Sequence, residues 1–106
     1  MTGIREYKTH VAGAIYRQDE IARCREGHPV ELVRNPENEY DENAIEVWAG
    51  DWHIGFIPRD QAELWAEWMD AGDEFDASIL ELVPPGRGRR YIGVVLEVLI
   101  TSVSRR

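Results

Sequence analysis

The sequence predicts a mainly β fold: a small, strongly curved sheet or barrel with one helix and one helical turn. Short segments with apolar residues in period two recur along the chain, and only one segment has a strong helical period. A barrel would also remove the exposed edge that a long final strand otherwise leaves. With 106 residues, of which 43% are hydrophobic, the chain is expected to form one domain over residues 1–106.

The first two predicted strands flank a helical turn. Loose alternation over residues 7–14 predicts one strand, and period two over residues 29–33 predicts the next. Between them, Asp19 has the character of an N-cap and Gly27 that of a stop, which predicts a short helix or helical turn.

The clearest hairpin pairs residues 44–49 with residues 52–57 across a tight turn. In its first strand, alternation places one set of side chains on the core face and Trp48 on the other face. The predicted core residues of this strand are Ile45, Val47 and Ala49.

The second half of the chain holds the helix and two long strands. Residues 61–72 have a helical period, with Asp60 as the predicted cap. The predicted buried face is formed by Leu64, Trp65, Trp68 and Met69. Residues 74–83 and 91–103 then read as strands, joined by a loop of Pro, Gly and Arg that cannot continue a strand.

Charge limits the range of functions. The net charge of −8 should repel nucleic acid at long range, which argues against a general DNA coat. Residues 35–81 contain fourteen acids and one basic residue, Arg59, whereas both ends of the chain are richer in basic side chains. If the ends meet in the fold, a local basic face results; otherwise the acids form a solvated coat and the arginines are scattered.

Cysteine content and hydropathy bear on the compartment. Cys24 is the only cysteine, so neither an internal disulfide nor a cysteine-based metal site is possible, and a reducing, cytoplasmic setting is expected. The sequence shows no signal peptide, and no apolar run approaches the roughly 20 residues that span a bilayer. We expect no association with a membrane.

The stretch NPENEYDENAI, residues 35–45, gathers polar groups around a tyrosine. Asp41 could accept a hydrogen bond from a hydroxyl group, and Tyr40 could stack under a base or sugar. The alternative is a polar turn whose Asn and Asp side chains cap their own backbone. The spacing does not match a calcium loop, and the three histidines lack zinc spacing, so no metal or cofactor is expected.

The densest basic spot is the loop at residues 86–90. Its arginines suit phosphate contact, and Tyr91 adds a stacking surface; the alternative is a solubilising hairpin loop. No nucleophile elbow, P-loop or dinucleotide fingerprint is present, so the chain is not expected to be an enzyme. A magnesium-dependent nuclease using Asp41 and Glu42 is the catalytic alternative.

Four strings together resemble a known family, the HIRAN domain. They are V-A-G-A-I-Y at residues 11–16, E-L-V-R at 31–34, N-x-Y-D-x-N-A-I-x-V at 38–47 and H-I-G-F-I-P at 53–58. The resemblance runs from residue 7 to about residue 103. It implies a small six-stranded barrel of the OB or SH3-like type with two helices. It also implies a module that captures the 3′ end of single-stranded DNA, in DNA repair or replication-fork processing, with a helicase or nuclease acting in trans.

The resemblance also implies roles for individual residues. Tyr40 and Asp41 match the residues that embrace the terminal nucleotide, with Asp41 accepting from the 3′-hydroxyl, and Asn38 matches a neighbouring polar contact. Tyr16 matches an aromatic on the pocket wall, and Tyr91 a stacking aromatic. The full set of expected nucleic-acid-binding residues is Tyr16, Arg17, Asn38, Tyr40, Asp41, Phe56, Arg87, Arg89, Arg90 and Tyr91.

Two positions depart from the family members that bind DNA ends. Ile15 stands where those members have an arginine, so one phosphate contact is missing unless Arg17 replaces it. Glu39 stands where a proline is usual and adds negative charge. These departures and the acidic middle segment motivate a second hypothesis: a protein-interaction adaptor or acidic decoy that keeps the barrel without binding DNA.

Overall fold

The computed structural model describes residues 3–103; residues 1–2 and 104–106, the ends of the predicted single domain, lie outside the described part. The strands are β1 (Gly3–His10), β2 (Pro29–Arg34), β3 (Ile45–Ala49), β4 (Trp52–Phe56), β5 (Glu74–Val83) and β6 (Gly93–Ser102). A 3₁₀ turn (Ala14–Tyr16) and helix α1 (Gln18–Ile21) follow β1, and helix α2 (Arg59–Asp70) follows β4.

All six strands belong to one antiparallel sheet in the order β1-β6-β5-β2-β3-β4. The sheet coils until the chain just after β1 meets β4 at an isolated bridge between Ala12 and Phe56. There Ala12 N donates to Phe56 O at 2.7 Å, and Phe56 N donates to Ala12 O at 2.9 Å. The predicted six-stranded OB or SH3-like fold with two helices is confirmed, with one difference: within residues 3–103 this bridge, and not a continuous ladder, joins the two edges.

The core lies inside this coiled sheet. As predicted, the inward residues of β3, namely Ile45, Val47 and Ala49, are fully buried. On β6 the alternation is equally regular, because every second residue from position 94 to position 100 is buried. Both strands therefore present one apolar face to the interior, as a half-buried sheet requires.

Helix α2 covers one part of the core through a face centred on Trp65. This ring is fully buried and meets Tyr7 and Phe75 edge-on, with ring centroids 5.4 and 5.7 Å away. The small side chains of Ala62 and Ala66 flank it. The predicted burial of Leu64 is wrong, since the face at positions 62, 65, 66 and 69 points away from it and leaves it 47% exposed.

Several element boundaries differ from the sequence prediction: β1 begins at Gly3 and not at residue 7, and three further differences have a local cause. The first strand ends at His10, because Gly13 caps a 3₁₀ turn where the strand was expected to continue. Asp19 lies inside α1, which ends at Ile21 and continues only as tight turns before Gly27. In α2 the N-cap residue is Pro58, and Asp60 sits in the first turn, where a carboxylate still complements the helix dipole.

Candidate functional site

The loop between β2 and β3 is a self-capped polar turn. Asn38 Oδ1 accepts from Tyr40 N at 2.9 Å and from Asp41 N at 3.1 Å, and Asp41 Oδ1 accepts from Asn43 N at 2.9 Å. These bonds are the ones that the polar-turn alternative predicted. They fix the backbone conformation of the turn, in which Tyr40 is 80% exposed.

This turn forms one side of a surface pocket of about 330 Å³, a volume typical of small-ligand sites. The pocket lies where the chain after β1 bridges β4, at the incomplete closure of the sheet. Its lining combines apolar side chains with polar ones. The lining residues are Ala12, Asn38, Tyr40, Asp41, Ala44, Phe56, Ile57 and Arg59.

The side-chain amide of Asn38 is oriented by the turn. Because two backbone N–H groups point at one atom, that atom must be the oxygen, Oδ1. The Nδ2 group is then the other end of the side chain, and it has no hydrogen-bond partner within residues 3–103. Asn38 can therefore donate to an acceptor on a ligand in the pocket.

The carboxylate of Asp41 keeps acceptor capacity on the pocket side. Its side chain is 21% exposed, and its Oδ2 lies 3.5 Å from Arg59 Nε, which is too long for a strong hydrogen bond. An ionised carboxylate offers about four lone-pair sites, and the turn uses one of them. A hydroxyl donor entering the pocket can thus bind Asp41 without breaking the turn.

Arg59 is a site residue that the sequence analysis missed. Its side chain is 76% exposed, yet Nη2 donates to Tyr40 O at 2.7 Å while Nε faces Asp41. The first residue of α2 is therefore joined to the turn and places a positive charge at the pocket. The sequence contains one signal for this residue: Arg59 is the only basic residue in residues 35–81, which contain fourteen acids.

A second pocket, of about 360 Å³, lies beside the basic loop and is lined by Ile15, Gln18, Gly88, Arg89, Arg90 and Tyr91. Arg89 orders this loop, since its Nε donates to Tyr91 O at 3.2 Å and its Nη2 donates to Pro84 O at 2.8 Å. Its guanidinium also lies 5.6 Å from the centroid of the Tyr91 ring. Arg87 and Arg90 are exposed and are the cations left for a ligand.

Gln18 ties the second pocket to the 3₁₀ turn. Its Nε2 donates to Ala14 O at 2.8 Å and to Ile92 O at 3.1 Å, and its Oε1 accepts from Ile92 N at 2.7 Å. The segment from Ala12 to Gln18 therefore contributes to both pockets. Tyr16 lies on this segment and is 85% exposed.

The expected binding residues thus fall into two groups. Asn38, Tyr40, Asp41 and Phe56 lie together at the first pocket, and Arg89, Arg90 and Tyr91 lie together at the second. The remaining three line neither pocket: Tyr16, Arg17 and Arg87. Arg17 is half-buried, and its charge acts on His53. A phosphate contact made by Arg17 stays a prediction.

An aromatic group supports Phe56 behind the first pocket. The ring of His53 stacks on Trp48 with centroids 4.9 Å apart and meets Phe56 edge-on at 5.0 Å. His53 Nε2 lies 3.0 Å from Gly55 O, so the neutral ring with its proton on Nε2 makes a hydrogen bond there. Burial lowers the pKa of His53, and the nearby guanidinium of Arg17 lowers it further.

Acidification should therefore weaken the fold at His53. Folding lowers the pKa of His53 below its ordinary value, so the stability that His53 contributes is fully present when the pH is above that ordinary value. This stability is lost as the pH falls through the lower pKa of the folded state. Urea unfolding from about pH 7.5 down to about pH 5.5 should show a smaller loss of stability for His53→Gln than for the wild type. Equal losses in both proteins would show that His53 is not held neutral by the fold.

Within residues 3–103, no three His, Cys, Asp or Glu side chains are grouped closely enough to hold a metal ion. Over the same part of the chain, no helix has the length and hydropathy required to cross a membrane.

Comparisons with known proteins agree with the fold. The family model for the HIRAN domain matches residues 4–98. The crystal structure of the HIRAN domain of human HLTF aligns with a TM-score of 0.75 and 20% identity, covering 95% of this chain and 79% of that one. A protein from Lactobacillus plantarum aligns with a TM-score of 0.68 and 28% identity, covering 93% and 98% of the two chains. No curated protein matches the sequence.

Proposed function

The chain belongs to the HIRAN domain family, and from this premise we propose that it is a non-catalytic module that captures the 3′ end of single-stranded DNA. The observation that carries the proposal is the first pocket, where the exposed ring of Tyr40 stands beside the carboxylate of Asp41 and the guanidinium of Arg59. Damaged or stalled replication forks expose such ends, so we place the module in DNA repair or fork processing, with a helicase or nuclease acting in trans.

Asp41 is the group that would recognise the end. A 3′-hydroxyl can donate to Oδ2, and such a charge-assisted hydrogen bond contributes about 1.5–3 kcal/mol. An internal nucleotide has no free hydroxyl at this position and would bring a phosphate toward the carboxylate. The pocket therefore favours a terminus over an internal segment.

Stacking would supply much of the remaining affinity. Tyr40 lines the first pocket and Tyr91 lines the second, and the exposed Tyr16 lies on the segment that contributes to both. Each stacked base contributes about 1–3 kcal/mol, whatever its identity. Binding should therefore depend on the strand end and little on its sequence.

Electrostatic attraction would contribute less. The exposed cations available to phosphates are Arg59 and Arg90, which line the pockets, and Arg87, which lies on the loop beside the second pocket; residues 35–81 carry fourteen acids. If two or three phosphates are neutralised, the salt dependence of the logarithm of affinity should have a slope of about −1.4 to −2. Binding should be weak, but it should survive moderate salt.

Oligonucleotides that differ only at the 3′ end test the proposal. Fluorescence anisotropy should show that a 3′-hydroxyl strand binds roughly tenfold more tightly than a 3′-phosphate strand, because the phosphate replaces a hydrogen bond to Asp41 with repulsion. A matched pair that differs only at the 5′ end should bind equally. Equal affinity for the two 3′ ends would remove Asp41 from the proposed role.

Loss of Arg59 should weaken binding without unfolding the protein. We expect Arg59→Ala to reduce affinity about fivefold to tenfold and to make the salt slope shallower by about 0.7, since one phosphate contact disappears. Its exposed ion pair should change the free energy of unfolding by less than about 1 kcal/mol. Arg25→Ala, an exposed arginine outside both pockets, is the control and should leave the salt slope unchanged.

The adaptor hypothesis remains the alternative, and one observation favours it. Ile15, in place of the family's arginine, is 53% exposed and gives the second pocket an apolar wall. An adaptor should retain a stoichiometric protein partner from a nuclease-treated lysate and should not bind labelled DNA even at low salt. Binding of DNA that depends on the 3′ end would rule this alternative out as the main function.

A further inference from the structure

The two edges of the sheet differ. On one edge, the 3₁₀ turn and α1 pack against β4, and Phe56 closes onto Ala12. On the other edge, β1 pairs with β6 on its inner side and has no strand on its outer side within residues 3–103. Such an unpaired edge is a template for a further strand.

The hydrogen bonds at the end of β1 show which of its backbone groups point toward β6 and which point outward. Val11 N donates to Val94 O at 2.9 Å, one step beyond the pair of His10 with Val95. In an antiparallel pair, residues alternate between those that bond to the partner and those that face away, so the odd-numbered residues of β1 bond to β6. Ala12 agrees, because its N–H and C=O turn outward to Phe56. The backbone groups that point outward therefore belong to Ile4, Glu6, Lys8 and His10, and among them His10 O already accepts a hydrogen bond from Thr9 Oγ1 at 3.2 Å.

The side chains of these four residues share one exposed face of the sheet. Tyr7 points to the other face, where it packs on Trp65, whereas Ile4, Glu6, Lys8 and His10 are all exposed. On the exposed face, a hydrogen bond with Glu6 and its charge raise the pKa of Glu97. Two carboxyl groups thus meet beside β1 with Lys8 as the nearby cation, and a second cation would be favoured there.

Among the registers centred on the middle of β1, charge selects one for pairing the strand with a second copy of itself. A two-fold axis perpendicular to the sheet must pass through one residue of the strand, because paired side chains lie on the same face. An axis at Arg5, Glu6 or Lys8 sets two like charges opposite each other. With the axis at Tyr7, Glu6 of each copy lies opposite Lys8 of the other, which gives two pairs of opposite charge. Ile4 of each copy then lies opposite His10 of the other. Opposite charges in directly facing positions stabilise a strand pair, and like charges oppose it.

We propose that two copies of this chain associate through their β1 edges as an antiparallel pair, with Tyr7 at the two-fold axis and Glu6 of each copy facing Lys8 of the other. The four outward residues of each strand would complete their backbone hydrogen bonds, and the two sheets would become continuous. Because a single strand pair buries little surface, the dimer should be weak and dependent on concentration. The association does not depend on what the pockets bind.

Charge exchange between two variants tests the proposal. Sedimentation equilibrium between about 5 and 500 µM should detect a wild-type dimer. Glu6→Lys and Lys8→Glu should each weaken self-association at least tenfold, since each replaces two attractive pairs with two repulsive ones. Mixing the two variants should restore dimers, because every facing pair is then of opposite charge. Glu81→Lys, an exposed change on β5 away from this edge, is the control and should still dimerise.

Two results of these association experiments would overturn the proposal: a wild-type chain that remains monomeric across this range, or a mixture of the two variants that does not associate. Circular dichroism shows whether each variant is folded. The double variant Glu6→Lys/Lys8→Glu provides a second route. Because it exchanges the two charges, the facing pairs stay opposite in charge, and this variant should dimerise like the wild type.

Amide hydrogen exchange should be slower at Glu6 and Lys8 at high protein concentration. Unchanged exchange in a dimer would place its interface elsewhere and would also overturn the proposal.

Discussion

Replacing Gly55 with alanine should lower the free energy of unfolding by about 3–5 kcal/mol in a urea titration. Gly55 has a φ of +144°, and a Cβ atom there would lie 2.4 Å from Val11 Cγ1 and 2.5 Å from Ala12 O. The carbonyl of Ala12 cannot simply withdraw, because it accepts the 2.9 Å hydrogen bond from Phe56 that joins the sheet edges. The substitution therefore combines overpacking with backbone strain and should disturb the first pocket, which Ala12 and Phe56 line.

Gly50 offers a matched control in the turn between β3 and β4. It also has a positive φ, +61°, but a Cβ atom there meets nothing within 4 Å. Gly50→Ala should cost only the backbone penalty of about 1–2 kcal/mol. The difference between the two variants measures the close approach of β4 to Ala12. If both substitutions cost the same, the sheet edges do not meet as described.

Tyr40→Ala should weaken binding of a 3′-hydroxyl oligonucleotide by about 1–3 kcal/mol, or roughly 5-fold to 150-fold, in an anisotropy titration. The side chain is 80% exposed, so its removal should change the free energy of unfolding by no more than about 0.5 kcal/mol. A large, exposed ring that contributes little to stability is what a stacking role requires.

Two further variants separate stacking from other effects. Tyr40→Phe keeps the ring and should bind within about twofold of the wild type, because the proposal gives the hydroxyl no role. Leu64→Ala removes an exposed apolar side chain of α2 outside the pocket and should leave affinity unchanged. If Tyr40→Ala binds as well as Leu64→Ala does, the ring does not stack on the strand end.

The parts of the fold that the sequence predicts well are those where pattern and packing coincide. The hairpin of β3 and β4 has buried residues in strict alternation, so its strands and inward faces are found directly. The first strand is harder, because β1 is an edge strand whose first four residues are all exposed and carry no period. On α2, the sequence pattern predicts a buried face around both tryptophans, and that face includes Leu64. The observed face is centred on Trp65, where small alanines on either side allow the helix to approach the core.

The site could be predicted only in part, for a similar reason. Asn38, Tyr40 and Asp41 are neighbours in sequence and share one turn, so a local pattern finds them. Arg59 reaches that turn from another element, and Gln18 joins segments 74 residues apart. Such contacts depend on how the sheet coils, which no local pattern specifies. The same turn also shows that self-capping and ligand binding are compatible, since Asp41 keeps free acceptor sites.

The position of the first pocket follows from the incomplete closure of the sheet. In the part of the chain that the structure describes, one bridge between Ala12 and Phe56 joins the edges, and the polar turn and the start of α2 lie beside it. A fully paired ladder at this place would leave no gap between the two edges. The fold thus leaves a recess at its seam, and the sequence lines that recess with an aromatic ring, a carboxylate and a guanidinium.

Amide chemical shifts of the ¹⁵N-labelled protein, titrated with a short 3′-hydroxyl oligonucleotide, test the central claim most directly. The proposed function predicts the largest changes at Ala12, in residues 38–44 and in residues 56–59, with smaller ones around the second pocket. Changes confined to the arginine loop at residues 86–90, with none in residues 38–44, would contradict the claim that the first pocket holds the strand end.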